Sequence, residues 1–169
     1  AHADSVRQDT QERFAVNSDT LPFAHPLRAL SWNSGAFFHS DPVQKEQHFY
    51  QAARWMRQGH SILVLQEAHS TEDRCHELEG WLSQQLRARI RVYGTSHPHN
   101  AEGTAGVIVV LQLDALAVTR EPKATAVIPG HAILVHVASE HGNLQVVGTY
   151  APSTVCIREG TSASVMCRR

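Results

Sequence analysis

Lysine is nearly missing from this sequence: Lys45 and Lys123 stand against thirteen arginines, and the formal net charge is -1 with a pI near 6.9. With no excess of either sign, no global field draws in nucleic acid or an anionic membrane, so any polyanion site must be local. Cysteine is scarce too. Cys75, Cys156 and Cys167 make an odd set without a Cys-x-x-Cys pair, which argues against a disulfide framework or a zinc knuckle and predicts a reducing compartment. No run approaches the ~20 consecutive apolar residues of a membrane span, and the first residues lack the basic-then-apolar pattern of a signal peptide. The expectation is an intracellular protein with no membrane partner. Glycine loops of the Gly-x-Gly-x-x-Gly or Walker type are absent, which argues against a nucleotide-binding domain.

The 169 residues, 42% hydrophobic and 18% charged, have the balance of one globular domain. Arg87, Arg89 and Arg91 cluster; arginine can grip phosphate with two parallel hydrogen bonds, but a solvated helix face explains the run equally well. Twelve histidines are many for this length. Cys75 and His76 with His97 and His99 could supply four zinc ligands, yet their spacing is irregular, so no dedicated zinc site is expected.

Residues Ala1 to Pro26 are polar and aperiodic and carry Pro22 and Pro26, the composition of a disordered leader. The first residue, Ala1, is not Met, as in a piece cut from a longer product. Leu27 to Trp32 reads as a strand ending at Asn33. Asp41-Pro42 then starts a helix, because aspartate accepts orphan N–H groups and proline is pre-set for the first helical position; Gln44 would complete a capping box. Phe49, Ala52, Ala53 and Met56 share one face of it, and Gly59 ends it. Ile62 to Leu65 is a second strand. Ser70 with Asp73 predicts a capping box for a helix over Glu72 to Leu86, with Cys75, Leu78, Leu82 and Leu86 at helical spacing. The rest reads as strands at Ile90–Tyr93, Ala105–Leu111, Ala115–Arg120, Ala124–Ile128, Ala132–Val137 and Leu144–Tyr150, with Glu140 to Asn143 as a hairpin connection.

This order predicts an α/β fold: a mixed, mostly antiparallel sheet with two helices on one face. Ile62–Leu65, Gly106–Leu111 and Ile133–Val137 are apolar on both pleat faces apart from His136, which implies a sheet covered on both sides. Two helices cover one face. The other is expected to need something outside this chain, and self-association through that uncovered face is one way to meet the need.

Three motifs fall at strand ends: Ser31-Trp32-Asn33, Leu65-Gln66-Glu67 and Gly148-Thr149-Tyr150-Ala151-Pro152-Ser153. Strand carboxyl ends are where ligands gather in open α/β sheets. Glu67 is a suitable hard ligand for Mg²⁺, Asn33 can orient a metal-bound water or phosphate oxygen, and Tyr150 can donate its phenolic hydrogen to phosphate. In plainer roles Asn33 caps a turn, Glu67 is a solvated strand end, and Tyr150 is a half-buried aromatic with a wet hydroxyl. Trp32 and Trp81 read as packing residues.

The series Trp32-Asn33, Leu65-Gln66-Glu67, Ala105-Gly106-Val107 and Tyr150-Ala151-Pro152 resembles the endonuclease/exonuclease/phosphatase superfamily, over Leu27 to about Ser153. The resemblance implies half of a four-layer α/β sandwich, with residues 27–153 as the N-terminal part of the domain. It implies Mg²⁺ or Mn²⁺ as cofactor, Glu67 and Asn33 as metal residues, and Asn33 and Tyr150 as catalytic residues beside a scissile phosphate. It also implies that Gly103 and Gly106 shape the cleft and that His131 takes the place of a basic residue found in many relatives. The substrate implied is DNA, as for LINE-type retrotransposon or abasic-site endonucleases, or another phosphodiester in the phosphatase and phospholipase branches. Two departures stand out. Relatives place a carboxylate two positions after the first Asn, where this chain has Ser34 and Gly35, and the family's later Asp-x-Asn and Ser-Asp-His segments find no match between Val155 and Arg169. Residues 154–169 read as an unrelated tail. The expectation is therefore a truncated hydrolase domain, inactive as this chain, or a catalytically silent remnant that serves as a binding module.

Overall fold

The computed structural model describes residues 25–99 and 105–151, together with 157–158 and 165–166. The leader up to residue 24, Gly103, Pro152, Ser153, and all of the tail but two short strands lie outside the described residues.

The elements run β1 (Ala29–Asn33), α1 (Pro42–Arg57), β2 (Ile62–Gln66), α2 (Glu72–Leu86), β3 (Ile90–Thr95), β4 (Val107–Gln112), β5 (Lys123–Ile128), β6 (Ala132–Ser139) and β7 (Gly142–Thr149); β8 (Ile157–Arg158) pairs antiparallel with β9 (Val165–Met166). The fold is α/β, with two helices, a mixed four-stranded sheet in the order β1-β2-β4-β3 and an antiparallel three-stranded sheet in the order β5-β6-β7. In the first sheet β1 runs parallel to β2, and β4 is antiparallel to both β2 and β3.

Local chemistry explains the helices. Asp41 accepts the Val43 N–H at 2.9 Å with Pro42 just inside the helix, and the chain leaves α1 through Gly59 at φ +93°. The start of α2 differs from expectation. Thr71, not Ser70, is the cap, accepting the Arg74 N–H at 3.3 Å, because Ser70 is buried and turns its hydroxyl to the Thr95 carbonyl. The helix ends on Arg87, itself in the left-handed conformation at φ +50°.

Two cores separate three layers. Leu63 and Leu65 of β2 and Ile108 and Val110 of β4 face the helices, packing with Phe49, Ala53, Leu78 and Leu82. The alternate residues Ile62, Val107, Val109 and Leu111 face Ile133, Val135 and Val137 of the second sheet. Strands apolar on both faces thus follow from burial on both sides, each large side chain contributing about 1.5–3 kcal/mol on transfer from water. The partner expected from outside is supplied by the chain itself: β5, β6 and β7 cover the face that the helices leave. The open face moves to the far side of the second sheet. There Thr125, Leu134 and Val147 lie in register, Leu134 buried and Val147 56% exposed, with the exposed His136 set between Lys123 and Gln145.

Gly148 sets how closely the sheets approach. A Cβ there would stand 2.9 Å from Val107 Cγ1 and 3.1 Å from Val64 Cγ1, so glycine permits a contact that alanine cannot. The strand expected over Ala115–Arg120 is instead a turn followed by a single bridge, Val118 to Ser139. Asp114 holds the start of that turn by accepting both the Arg89 backbone N–H at 2.8 Å and its Nε at 2.6 Å. Among the described residues no helix is long and apolar enough to cross a membrane.

Candidate active site

The carboxyl ends of β1, β2, β3 and β7 and the amino ends of β4 and β6 meet at one end of the sandwich, as the strand directions require. Asn33, Glu67 and Tyr150 converge there. Asn33 Nδ2 donates to Glu67 Oε1 at 3.0 Å across 34 residues of sequence. Tyr150, leaving the end of β7 in the second sheet, brings its phenol near enough for the same carboxylate to act on it electrostatically.

Each side chain is aimed by local bonding. The Asn33 carbonyl accepts the Gly35 N–H at 3.2 Å, which fixes the amide so that its nitrogen faces Glu67. Ser34 bonds the Gln66 carbonyl through both its N–H (3.1 Å) and its hydroxyl (2.9 Å). Gln66 does more than fill a motif position. Its Nε2 donates to Ser31 Oγ at 3.0 Å and to the Thr149 carbonyl at 3.2 Å, tying β1 and β2 to the end of β7.

Backbone conformation concentrates here. Ala36, Glu67, His69 and Ala105 have φ of +78°, +51°, +51° and +54°, in a region that costs a non-glycine residue about 1–3 kcal/mol. The surroundings hold them: Ala36 N–H donates to the Glu67 carbonyl (2.8 Å), Ala68 N–H to Gly106 (3.0 Å), His69 N–H to Ala105 (3.0 Å), and Arg74 Nη1 to the His69 carbonyl (2.8 Å). Four such residues around one carboxylate form a rigid cradle, the kind of backbone found where a side chain must be presented in a fixed direction.

Tyr150 is braced from behind. Its N–H donates to the His131 carbonyl at 2.7 Å, the His131 ring stacks on it at 5.9 Å between centroids and 7° between planes, and His131 Nδ1 lies 3.3 Å from the Tyr150 carbonyl. His131 is placed by Gly130, buried between the sheets, whose N–H donates to Thr95 Oγ1 at 3.0 Å and whose carbonyl accepts the Gly106 N–H at 2.9 Å. A side chain on Gly130 would meet the His97 backbone at 3.0 Å. Gln66, Thr95 and Gly130 are positioning residues that reading the sequence missed; the Pro129-Gly130 turn signal was there to flag the last of them.

Burial first, then the neighbouring Glu67 carboxylate, raises the Tyr150 phenol above its ordinary value, so the hydroxyl keeps its proton for donation. Burial lowers the His69 imidazole, outweighing the attraction of nearby Glu67.

Among the described residues no three His, Cys, Asp or Glu side chains gather as a metal-binding group. The Glu67 carboxylate is nevertheless a hard oxygen donor held by an amide, and Mg²⁺ is commonly bound by one or two carboxylates with water and substrate phosphate completing its shell. The donor set fits that sparse form of coordination. Asn33 meets Glu67 through nitrogen, so it orients the carboxylate and leaves one lone pair of its own carbonyl beyond the Gly35 contact.

The other sequence candidates lie elsewhere. Arg89 pairs with Asp114, and Arg91 with Glu79 and Glu121, at the end of β3 remote from Glu67. Cys75 is buried against Gly94, its thiol pushed up to about 12 by burial and then by Glu79 and Glu72. His97 and His99 face one another at 6.0 Å between ring centroids. Trp32 packs edge-on against Phe37, His48 and Trp55, and Trp81 against Phe49 and Tyr50. No family model matches the chain, and no curated protein matches it as a relative.

Proposed function

We propose that the Asn33–Glu67–Tyr150 cluster is the metal- and phosphate-binding part of a phosphodiester hydrolase site of the endonuclease/exonuclease/phosphatase type, with DNA as the favoured substrate. The observation that carries this reading is the Asn33–Glu67 hydrogen bond joining two strand ends in a strained cradle, with Tyr150 of the second sheet near enough to feel the same carboxylate. Glu67 would hold Mg²⁺ or Mn²⁺, which supplies neutralisation of the charge that develops on phosphate. Asn33 aims the carboxylate. Tyr150, protonated at neutral pH, donates to a phosphate oxygen brought beside it. The scarcity of paired cysteine supports action inside the cell, in cytoplasm or nucleus.

A second reading draws on the same geometry. The Glu67 carboxylate already accepts from Asn33 and stands near the Tyr150 phenol, an arrangement that also suits a catalytically silent binding module. Loss of a water-activating base or a phosphate-stabilising histidine costs on the order of 10²–10⁴ in rate each. Mn²⁺ binding followed by electron paramagnetic resonance, and nicking of supercoiled DNA in Mg²⁺, separate the two. Binding and turnover that both vanish in Glu67→Gln support the enzyme; Glu67-dependent binding without turnover supports the module; neither binding nor turnover sinks both.

We also propose self-association through the open face of the second sheet around the exposed Val147. Light scattering should show mass rising with concentration in the wild type and not in Val147→Lys; a strictly monomeric wild type removes the idea.

A further inference from the structure

Away from Glu67, a cleft of about 660 Å³ opens between the first two turns of α2 and strand β3. β3 is the edge of the four-stranded sheet. An edge strand offers a row of free N–H and C=O groups, which proteins usually blunt. Here the blunting is partial. Glu79 reaches over from α2 and accepts the Val92 N–H at 2.9 Å, which shows that Val92, and by the alternation of an antiparallel ladder Gly94, turn their backbone groups away from β4. Two residues further on, Gly94 is exposed and lines the cleft with no side chain in front of it. Its Cβ position is denied by Cys75 Sγ at 2.7 Å, so the glycine that keeps the edge bare is also required by the core.

The walls have a definite sign. Among the described residues, Glu72, Glu79 and Glu121 line the cleft against a single guanidinium, that of Arg91, which Glu79 and Glu121 share at 2.8 and 2.7 Å. The cleft alone therefore carries more negative charge than the whole chain, whose formal net charge is -1. Val92 and Cys75 give it an apolar floor.

We infer that this cleft is a docking site for an extended peptide segment bearing arginine or lysine, which pairs as an added strand along β3 at Gly94 and sets its cations against Glu72 and the Glu79–Glu121 pair. Main-chain pairing supplies affinity and the acidic wall supplies selectivity. The site is independent of the Glu67 cluster and of any hydrolase activity.

The test uses the full chain and three labelled heptapeptides followed by fluorescence anisotropy: arginine alternating with valine, glutamate alternating with valine, and the arginine peptide N-methylated at alternate amides. The arginine peptide should bind, and N-methylation should weaken it about tenfold or more, because methylated amides cannot pair with the edge. Glu72→Lys should weaken it roughly three- to tenfold, and raising salt should act in the same direction. The Gly94 amide should gain hydrogen-exchange protection in the complex. Equal binding of the glutamate peptide, indifference to N-methylation, or no binding at all would overturn the inference. So would a stable dimer dispersed by Glu72→Lys, since the occupant would then be a second copy of the chain.

Discussion

Replacing Gly106 by alanine separates backbone geometry from simple loss of flexibility. Gly106 has φ +94°, and a Cβ on it would lie 3.2 Å from the Ser70 N, the Ser70 Oγ and the His69 N, two of them backbone atoms that cannot swing aside. The left-handed conformation costs an L-residue about 1–2 kcal/mol and overpacking about 1–3, while the stiffer unfolded chain returns about 0.4–1, so the net loss should be about 2–4 kcal/mol. Gly80, in the middle of α2 with nothing within 4 Å of its Cβ position, is the matched control. There alanine should stabilise by about 0.5–1 kcal/mol through helix propensity alone. Urea unfolding at neutral pH should show opposite shifts of midpoint with an unchanged slope. Because Ala68 N–H bonds the Gly106 carbonyl, displacement of the 67–70 loop should also weaken Mn²⁺ binding at Glu67 in Gly106→Ala and not in Gly80→Ala. A Gly106→Ala protein within about 0.5 kcal/mol of wild type would refute the argument from positive φ and close approach, since that is the scatter of neutral surface changes.

Stability should be greatest between about pH 7 and 9 and fall on both sides, as read from thermal midpoints. On the acid side, burial holds His69 below its ordinary 6.5, so its contribution is lost as pH falls past that value; Asp114, lowered by the Arg89 N–H and then its side chain, and Glu121, lowered by Arg91, add losses further down. On the alkaline side, Cys75, raised to about 12, and Tyr93 and Tyr150, raised chiefly by burial, contribute fully below about pH 9–10 and lose that contribution as pH rises; a midpoint that climbs above pH 10 contradicts this. His131→Ala should change the NMR ring shifts of Tyr150 and His131→Phe should restore them, because the stacked ring rather than its charge braces the phenol; identical spectra for both variants would deny His131 that part. Cys75 should react with a thiol reagent at the rate of global unfolding, as mapped by peptide mass spectrometry, and fast labelling in the folded chain would show that the Gly94 contact opens locally.

The helices were legible because caps and periodicity act locally: Asp41-Pro42 and the Phe49, Ala52, Ala53, Met56 face need no tertiary information. The cap of α2 was not, since Ser70 and Thr71 are chemically equivalent starts and only the burial of Ser70 against Thr95 decides between them. Strand positions were mostly legible; their division into two sheets was not. A strand apolar on both faces reads the same whether a helix or another sheet covers it, so Ile133 to Val137 gave no sign that it belongs to a different layer from Val107 to Leu111. The one local mark of sheet-on-sheet contact was Gly148, a glycine inside a strand. Ala115 to Arg120 misled for the opposite reason: Leu116 is buried and Ala117 and Val118 partly so, but Asp114 bonding to Arg89 bends the chain before a ladder can form. Asn33 and Glu67 stood out as motif residues, whereas the left-handed backbone at Glu67 depends on partners dozens of residues away.

That dependence shapes what the Glu67 cluster is. Asn33 and Glu67 ride on the first sheet and Tyr150 leaves the second, so the cluster exists only while the two sheets are docked. Gln66 bonding the Thr149 carbonyl, the Gly106–Gly130–Thr95 hydrogen bonds and the bare Cα of Gly148 all act at that junction, and all lie within a few residues of the three clustered side chains. The helices, by contrast, pack against the far face of the first sheet and contribute no side chain to the cluster. The inter-sheet core is therefore the part of the fold that sets the distance between carboxylate and phenol. Opening it by even a fraction of an ångström would separate the groups on which the proposed phosphate binding rests.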